Sequence, residues 1–574
     1  MAYWLSEPVE SLLDAIACDA KERTCEVLVV GSGYGGAIAA MRLASDDPTK
    51  RVIVFERGKE YALGDFPENL GELPGHVRFM RASDKHPMGY ADALFDLRVG
   101  DKVAALVGNG LGGGSLINAN VALKPDLETL QQPDWPKGVR EGAQKLLETM
   151  DDIGCSWLGV NYDKEKPKKV EALNRLATAI GESTKKPVEC AAAPITVCFE
   201  GGPNSIGVRQ APCVRCGNCV TGCNVGAKTT LAMNLLPLAK ARGAKIYTGA
   251  TVISVEPKGD ATGKDGWIVR FRRTATEKGP LRNEVCELHA GMVVLAAGTL
   301  GSTEILLRSR ARKKMRFSPQ LGKRFSTNGD TLAIGYGQRS LVSAVATTGS
   351  LDPTQKYVGP TISGYAKLTV QSEKKKSVAG KKPKEDQIDV PTHKLLLEDG
   401  AIPVSLARVF AELAVSGSLI KRYLKLSDPA WFDGKPGKDR LAIHPEALQH
   451  SQLLLGMGDD GAAGELRLAG FDGAVDASNA DDSRLALLWP EGEGTKVSTL
   501  FKATDDCMRA AEEKGFDGGN YIQNLAWRPL PADFAAELTG EAPEGPMLTV
   551  HPLGGCPMGG DAKAGVVNEF GQVF

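Results

Sequence analysis

The pattern of apolar positions changes period several times along the chain, and each change predicts an element. In "CEVLVV" (Cys25–Val30) the last four residues are a short continuous apolar run, the kind that forms a strand covered on both faces. It enters "GSGYGG" and then "AIAAMRLASDD", where apolar residues recur at helical spacing. "RVIVF" (Arg51–Phe55) is a second buried run. Strand, glycine turn, helix, strand predicts the start of a parallel sheet with helices packed on it. "GVREGAQKLLETMDDIG" (138–154) and "KVEALNRLATAIGES" (169–183) have helical spacing. "AKTTLAMNLLPLAKARGAKIYTGATVISVEP" (227–257) predicts helix then strand, and "GMVVLAAGTLGSTEILLRS" (291–309) predicts strand, glycine turn and helix again. The chain therefore returns to its first domain. From about residue 331 the runs become short and alternating, as in "PTISGYAKLTV" (360–370), which predicts antiparallel strands. "PVSLARVFAELAVSGSLIKRYLKL" (403–426) predicts an amphipathic helix: a core element, a pocket wall or a membrane-surface contact.

Composition narrows this picture by exclusion. At roughly 150 residues per domain, 574 residues suggest two to four domains. A net charge of −1 gives no basis for nucleic-acid binding. No apolar run is long enough to span a bilayer. The first 25 residues carry acids and lack a basic start followed by an apolar stretch, so a secretory signal is not expected and the expected location is the cytoplasm. "EKKKSVAGKKPKEDQ" (373–387) reads as a solvated basic loop, with docking of an acidic partner as the alternative.

The first glycine turn carries chemistry. Gly31, Gly33 and Gly36 form G-x-G-x-x-G between a predicted strand and a predicted helix. Glycines let the backbone approach a pyrophosphate, and the helix N-terminus adds free N–H groups and a positive dipole end. Glu56 follows at the end of the second strand, where a carboxylate can accept ribose hydroxyls. A second loop, "VGNGLGGGSLINANVALKP" (Val107–Pro125), holds five glycines in seven residues between apolar flanks. Such a backbone can lie flat against a planar ligand or a phosphate.

The cysteines raise a separate question. Four of the twelve lie within "CVRCGNCVTGC", placing Cys213, Cys216, Cys219 and Cys223 at C-x2-C-x2-C-x3-C spacing. Twelve cysteines are too sparse for a disulfide scaffold, so ligation is the expectation. The spacing is that of bacterial ferredoxins and predicts an iron–sulfur cluster. Structural zinc and an empty site are the alternatives, and Cys198 is a possible substitute ligand.

Four segments taken together resemble one family. They are the first fingerprint with "FERG", "GNGLGGGSLINANVALKP", "LAAGTLGSTEILLRS" and "HPLGG", in that order. The resemblance is to the glucose–methanol–choline (GMC) oxidoreductases, FAD-dependent enzymes that oxidise alcohols. "GGGSLINAN" and "HPLGGC" are most similar to the cholesterol oxidase branch. The cysteine run entering "GAKTTLAMN" also resembles the iron–sulfur-bearing bacterial FAD glucose dehydrogenases.

The resemblance implies an α/β fold. A Rossmann-like FAD-binding domain, discontinuous in sequence, would cover 20–330, with an inserted helical segment at 126–201 and the cysteine cluster at 213–223. An α+β substrate-binding domain on an antiparallel sheet would cover 331–542, and 543–574 would return to the first domain. Gly31, Ser32, Gly33, Gly36 and Glu56 would bind the ADP half of FAD. Gly108, Gly113, Ser115 and Asn118 would contact the pyrophosphate and flavin, Val252 the adenine through its backbone, and His551 would be catalytic. In the family a further segment follows that histidine and carries an Asn or His; this sequence stops at Phe574, so a further stretch or a second chain is expected to supply it.

The chemistry expected is oxidation of a bulky or sterol-like alcohol. A neutral imidazole takes the hydroxyl proton and FAD takes the hydride. Electrons would pass through the cluster to an external acceptor. The alternatives are an oxygen-using oxidase with structural cysteines and a non-catalytic flavin-binding electron-transfer protein.

Overall fold

The computed structural model describes residues 4–45, 47, 50–84, 87–259, 263–276, 284–312, 315–346, 358–371, 392–423, 445–470, 474–490, 495–525, 527 and 545–574. The basic loop at 373–387 lies outside them.

The first apolar runs form the centre of a seven-stranded sheet. Its order is Glu7–Pro8, Lys245–Thr248, Val52–Phe55, Thr24–Val30, Cys286–Leu295, Trp267–Arg273, Ala250–Pro257. The pairings from the first strand to the fifth are parallel, and the last two are antiparallel. Strand alternation divides the central residues between two cores. Val27, Val29, Val52 and Val54 pack with Ala37, Ala40 and Met41 of the Tyr34–Leu43 helix and with Leu235, Leu236 and Ala239 of the Leu235–Ala241 helix. Leu28, Val30, Ile53 and Phe55 pack on the other face against Val255, Phe271, Leu288 and Ile305. Covering both faces is why Val27–Val30 and Val52–Phe55 are apolar throughout; each such side chain contributes about 1.5–3 kcal/mol on burial.

The alternating runs build a six-stranded, wholly antiparallel sheet. Its order is Asn520–Ile522, Thr331–Tyr336, Gln452–Gly458, Thr392–Gly400, Gly364–Gln371, Glu189–Ala192. The edge strand Glu189–Ala192 comes from within the segment 126–201. The Lys168–Thr184 helix before it also packs on this sheet, with Leu173, Leu176 and Ile180 against Ala366, Leu368 and Leu397. Lys169 is fully buried there and pairs with Asp399 at 2.5 Å, while Asp399 Oδ1 accepts from the N–H groups of Ser363 and Gly364. The Val404–Tyr423 helix buries Phe410, Ala411 and Ala414 and leaves Leu406, Val409 and Leu413 exposed. Among the described residues no helix is long and apolar enough to cross a membrane.

A smaller four-stranded sheet joins the two. Its order is Met547–Thr549, Val103–Gly108, Phe95–Val99, Val77–Arg81. The parallel pairing of Met547–Thr549 with Val103–Gly108 brings the C-terminal stretch beside the second glycine loop. The tail then turns back on itself, with a bridge between Val567 and Val573.

Candidate functional site

The glycine turn is held by close backbone contact. Gly31 has φ +97°, and a Cβ there would lie 2.5 Å from the Ala296 carbonyl oxygen. A Cβ on Gly36 would lie 1.9 Å from the carbonyl oxygen of Gly31. These two glycines let the first turn, the helix behind it and the Ala296–Ala297 crossing nest together. A Cβ on Gly33 or Gly114 would meet nothing within 4 Å, so the backbone there borders open space. Gly113 sits against Gly33, joining the second glycine loop to the first.

The remaining cradle residues are placed as follows. Glu56 is buried; its Oε2 accepts from Ser32 N at 3.1 Å and Ser32 Oγ at 2.5 Å, and Oε1 accepts from Gly58 N at 2.9 Å. Ser115 Oγ donates to the Gly112 carbonyl and accepts from Leu231 N, which ties the loop to the segment after the cysteines. Gly108 closes on Gly113, and Asn118 Nδ2 donates to the Tyr34 hydroxyl at 2.8 Å. Val252 is buried in the Ala250–Pro257 strand opposite Phe271, beside a bulge. Asn118 Oδ1 and both amide atoms of Asn120 are buried without a hydrogen-bond partner among the described residues. Open glycine backbone and unsatisfied amides fit a nucleotide cofactor with a polar planar ring.

His551 stands at the junction of the sheets. Its loop is clamped: a Cβ on Gly554 would lie 1.8 Å from the Arg324 carbonyl oxygen, and Thr299 Oγ1 donates to the Pro552 carbonyl. The imidazole Nδ1 lies 2.9 Å from Asp330 Oδ1 and 3.1 Å from Oδ2. Asp330 is buried, while the His551 side chain is 42% exposed. A carboxylate can only accept, so this pairing favours a proton on Nδ1, which in the neutral ring leaves Nε2 to accept. Burial opposes charge on this ring, but the Asp330 hydrogen bond and charge, with Glu398 behind them, raise its pKa above the ordinary histidine value. Glu398 is buried on the Thr392–Gly400 strand. Burial pushes its carboxyl up to about 7, with Asp399 and Asp330 adding to the rise and His551 opposing it.

Cys213, Cys216, Cys219 and Cys223 line one cavity of about 140 Å³ together with Asn218 and Lys228. The metal site expected from their spacing finds no support: among the described residues, no group of three or more Cys, His, Asp or Glu side chains is arranged to hold a metal ion. A cation already stands at this cavity. The buried Lys228 ammonium donates to the carbonyls of Leu116, Asn118 and Cys219, and burial lowers its pKa to about 8. Burial pushes the Cys213 thiol up to about 12 and raises Cys216 as well. The Cys198 carbonyl accepts from Cys213 N.

The profile of the GMC oxidoreductases matches residues 26–328, more than half of the chain. The chain belongs to the GMC oxidoreductase family. It is 29% identical over 320 residues to a cholesterol oxidase of Acinetobacter baumannii, covering 54% of each chain. It is also 29% identical over 353 residues to a cholesterol oxidase of Mycobacterium tuberculosis, covering 57% of this chain and 56% of that one. A long-chain-alcohol oxidase of Arabidopsis thaliana is 24% identical over 353 residues, 61% of this chain and 42% of the plant protein. The GMC chain thus spans about half the length of the relatives it matches. The structure of pyridoxine 4-oxidase from Mesorbium loti superposes with a TM-score of 0.53 at 16% identity, over 96% of this chain and 92% of that one. A fungal aryl-alcohol oxidase gives 0.53 at 12% identity, over 95% and 92%. These two carry the fold: a parallel-rich sheet with the glycine turn and an antiparallel sheet beyond it.

Sequence reasoning named His551 and the glycines but missed Asp330, Glu398, Asn120 and Lys228. Asp330 had one signal, the acid of "TNGD" at the mouth of an alternating run. Glu398 had another, the acid pair that ends "KLLLED".

Proposed function

We propose that this chain is an FAD-dependent oxidoreductase that oxidises a bulky, apolar alcohol. The observation that carries the reading is the His551 imidazole, fixed by a buried carboxylate, beside a glycine cradle of the GMC family. FAD, when bound, supplies a ring that accepts hydride from the carbinol carbon. Gly31, Gly33 and Gly36 would hold its pyrophosphate at the Tyr34–Leu43 helix N-terminus. Asn118 and Asn120 offer buried amides to its polar edge.

His551 would take the hydroxyl proton at Nε2 as the C–H bond breaks. Asp330 keeps Nδ1 protonated, so the acceptor nitrogen faces outward, and its charge stabilises the imidazolium that forms. Glu398 places a second acid near the same ring. The names of the relatives, cholesterol oxidase and long-chain-alcohol oxidase, support a large apolar alcohol as substrate. The four-cysteine cavity has no part in this reading. The final acceptor is oxygen or a separate redox partner.

Anaerobic mixing of the flavin-loaded protein with sterols, long-chain alcohols and short alcohols tests the reading. A large apolar alcohol should bleach the flavin absorbance fastest; failure of every alcohol to bleach it overturns the assignment. Readmitting oxygen and measuring peroxide then distinguishes the acceptors.

A further inference from the structure

We propose that Asp330 is the positioning residue of this site, a single carboxylate that selects the tautomer of His551 and locks its loop across the joint between two sheets. The inference rests on His551 being the proton acceptor.

Asp330 immediately precedes the Thr331–Tyr336 strand of the antiparallel sheet. His551 follows the Met547–Thr549 strand of the four-stranded sheet. They are 221 positions apart in sequence, yet five contacts converge on one carboxyl group. Oδ1 meets the imidazole Nδ1 at 2.9 Å. Oδ2 also lies 3.1 Å from that nitrogen, accepts from Val550 N at 2.8 Å and His551 N at 3.2 Å, and has Thr549 Oγ1 at 2.9 Å. The side chain is 3% exposed, so these contacts compete little with water. Two main-chain donors fix the carboxylate; the carboxylate then fixes the ring. A carboxylate that only capped the loop would not need its other oxygen on the imidazole.

The electrostatic consequence follows from the groups that face the ring. Asp330 approaches from its own loop and Glu398 from the Thr392–Gly400 strand, with Asp399 and Lys169 acting on Glu398 from behind. Both acids that face the ring favour its charged form. An opposite charge at hydrogen-bond distance raises a histidine pKa by about one unit or more.

Histidine-ring NMR on the holoenzyme, with His551→Gln to assign the signal, tests this without turnover. In the wild-type protein, neutral His551 should carry its proton on Nδ1, and its titration midpoint should lie above the ordinary histidine value. In Asp330→Asn the midpoint should fall by about one pH unit, and the acidic limb of kcat/KM should move down with it. A proton on Nε2 in the wild-type ring, or an unchanged midpoint in the variant, overturns the proposal. The tautomer is read on the unaltered protein, so a poorly folded variant leaves a decisive measurement. If the ring behaves as expected but no alcohol reduces the flavin, the functional reading fails and the pairing stands. If alcohol is oxidised while the ring ignores Asp330, the pairing alone fails.

Discussion

The glycine cradle and the acid–histidine cluster, which the proposed function joins into one site, are built by opposite means. The cradle is made of backbone: Gly31 and Gly36 are where they are because a Cβ would strike a carbonyl oxygen at 2.5 Å or 1.9 Å. The cluster is made of side chains from three distant segments, Asp330, Glu398 and His551, gathered where two sheets meet. A backbone site tolerates no substitution at its contact points and should fail all at once. A side-chain site should fail by degrees and in a pH-dependent way. The difference can be broken experimentally, beginning where the expected effect is largest.

Gly36→Ala should abolish the cradle. A Cβ inside van der Waals contact with the Gly31 carbonyl forces the turn apart, at a cost of about 3 kcal/mol, and the purified protein should lack flavin colour. Absorbance and a denaturant titration check both; a yellow, stable variant would mean that the turn is not the binding element.

Lys228→Met should come next. Three carbonyls lose their buried donor, including those of Leu116 and Asn118 in the second glycine loop. The expected loss of stability is about 3 kcal/mol, with weaker FAD binding, because an unmet buried acceptor carries its full desolvation penalty. Fluorescence titration with FAD measures the second effect.

Glu398→Gln should change stability with a definite sign. In the fold this carboxyl titrates near 7, above its ordinary value, so the folded chain favours the neutral acid. The stability tied to that proton is fully present below the unfolded pKa and lost as pH rises through about 7. Above pH 7 the folded wild-type protein must carry a buried anion that glutamine avoids. The variant should therefore be more stable by about 2 kcal/mol at pH 8.5 and nearly equal at pH 4. Urea unfolding at both pH values decides it, and an equal difference at both would remove Glu398 from the charged cluster.

The smallest effect belongs to the cysteines. Cys213→Ser with Cys216→Ser should leave the rate of flavin reduction by alcohol unchanged, because the proposed reading gives those thiols no part and no metal-holding group is seen among the described residues. Stopped-flow absorbance checks this. A large drop in that rate, or loss of a visible band other than flavin, would return the cavity to the mechanism.

What could be read in advance follows the same division. Glycine positions are legible because the residue type itself marks a backbone constraint, local at Gly36 and against the distant Ala296 crossing at Gly31. Continuous apolar runs such as "VLVV" are legible because both faces are covered, and strand alternation then assigns Val27 and Leu28 to opposite cores. The edge strand Glu189–Ala192 is short, small-residued and exposed, so its place in the antiparallel sheet could not be anticipated. The pairing of Asp330 with His551 was hidden, although the acid itself stood in "TNGD", since contact across 221 positions depends on the joint between two sheets. The cysteine spacing teaches the converse lesson. Its regularity was easy to see, and it does bring four thiols to one cavity. Ligation needs convergent side-chain geometry as well, and spacing does not specify that.

The central claim is that His551 takes the substrate proton beside a cradled FAD. Its most direct test is single-turnover, anaerobic reduction of bound flavin by a large apolar alcohol, comparing the wild-type protein with His551→Ala at equal flavin occupancy. The rate should fall by about 10²–10⁴-fold in the variant while the flavin stays bound. An undiminished rate would contradict the account.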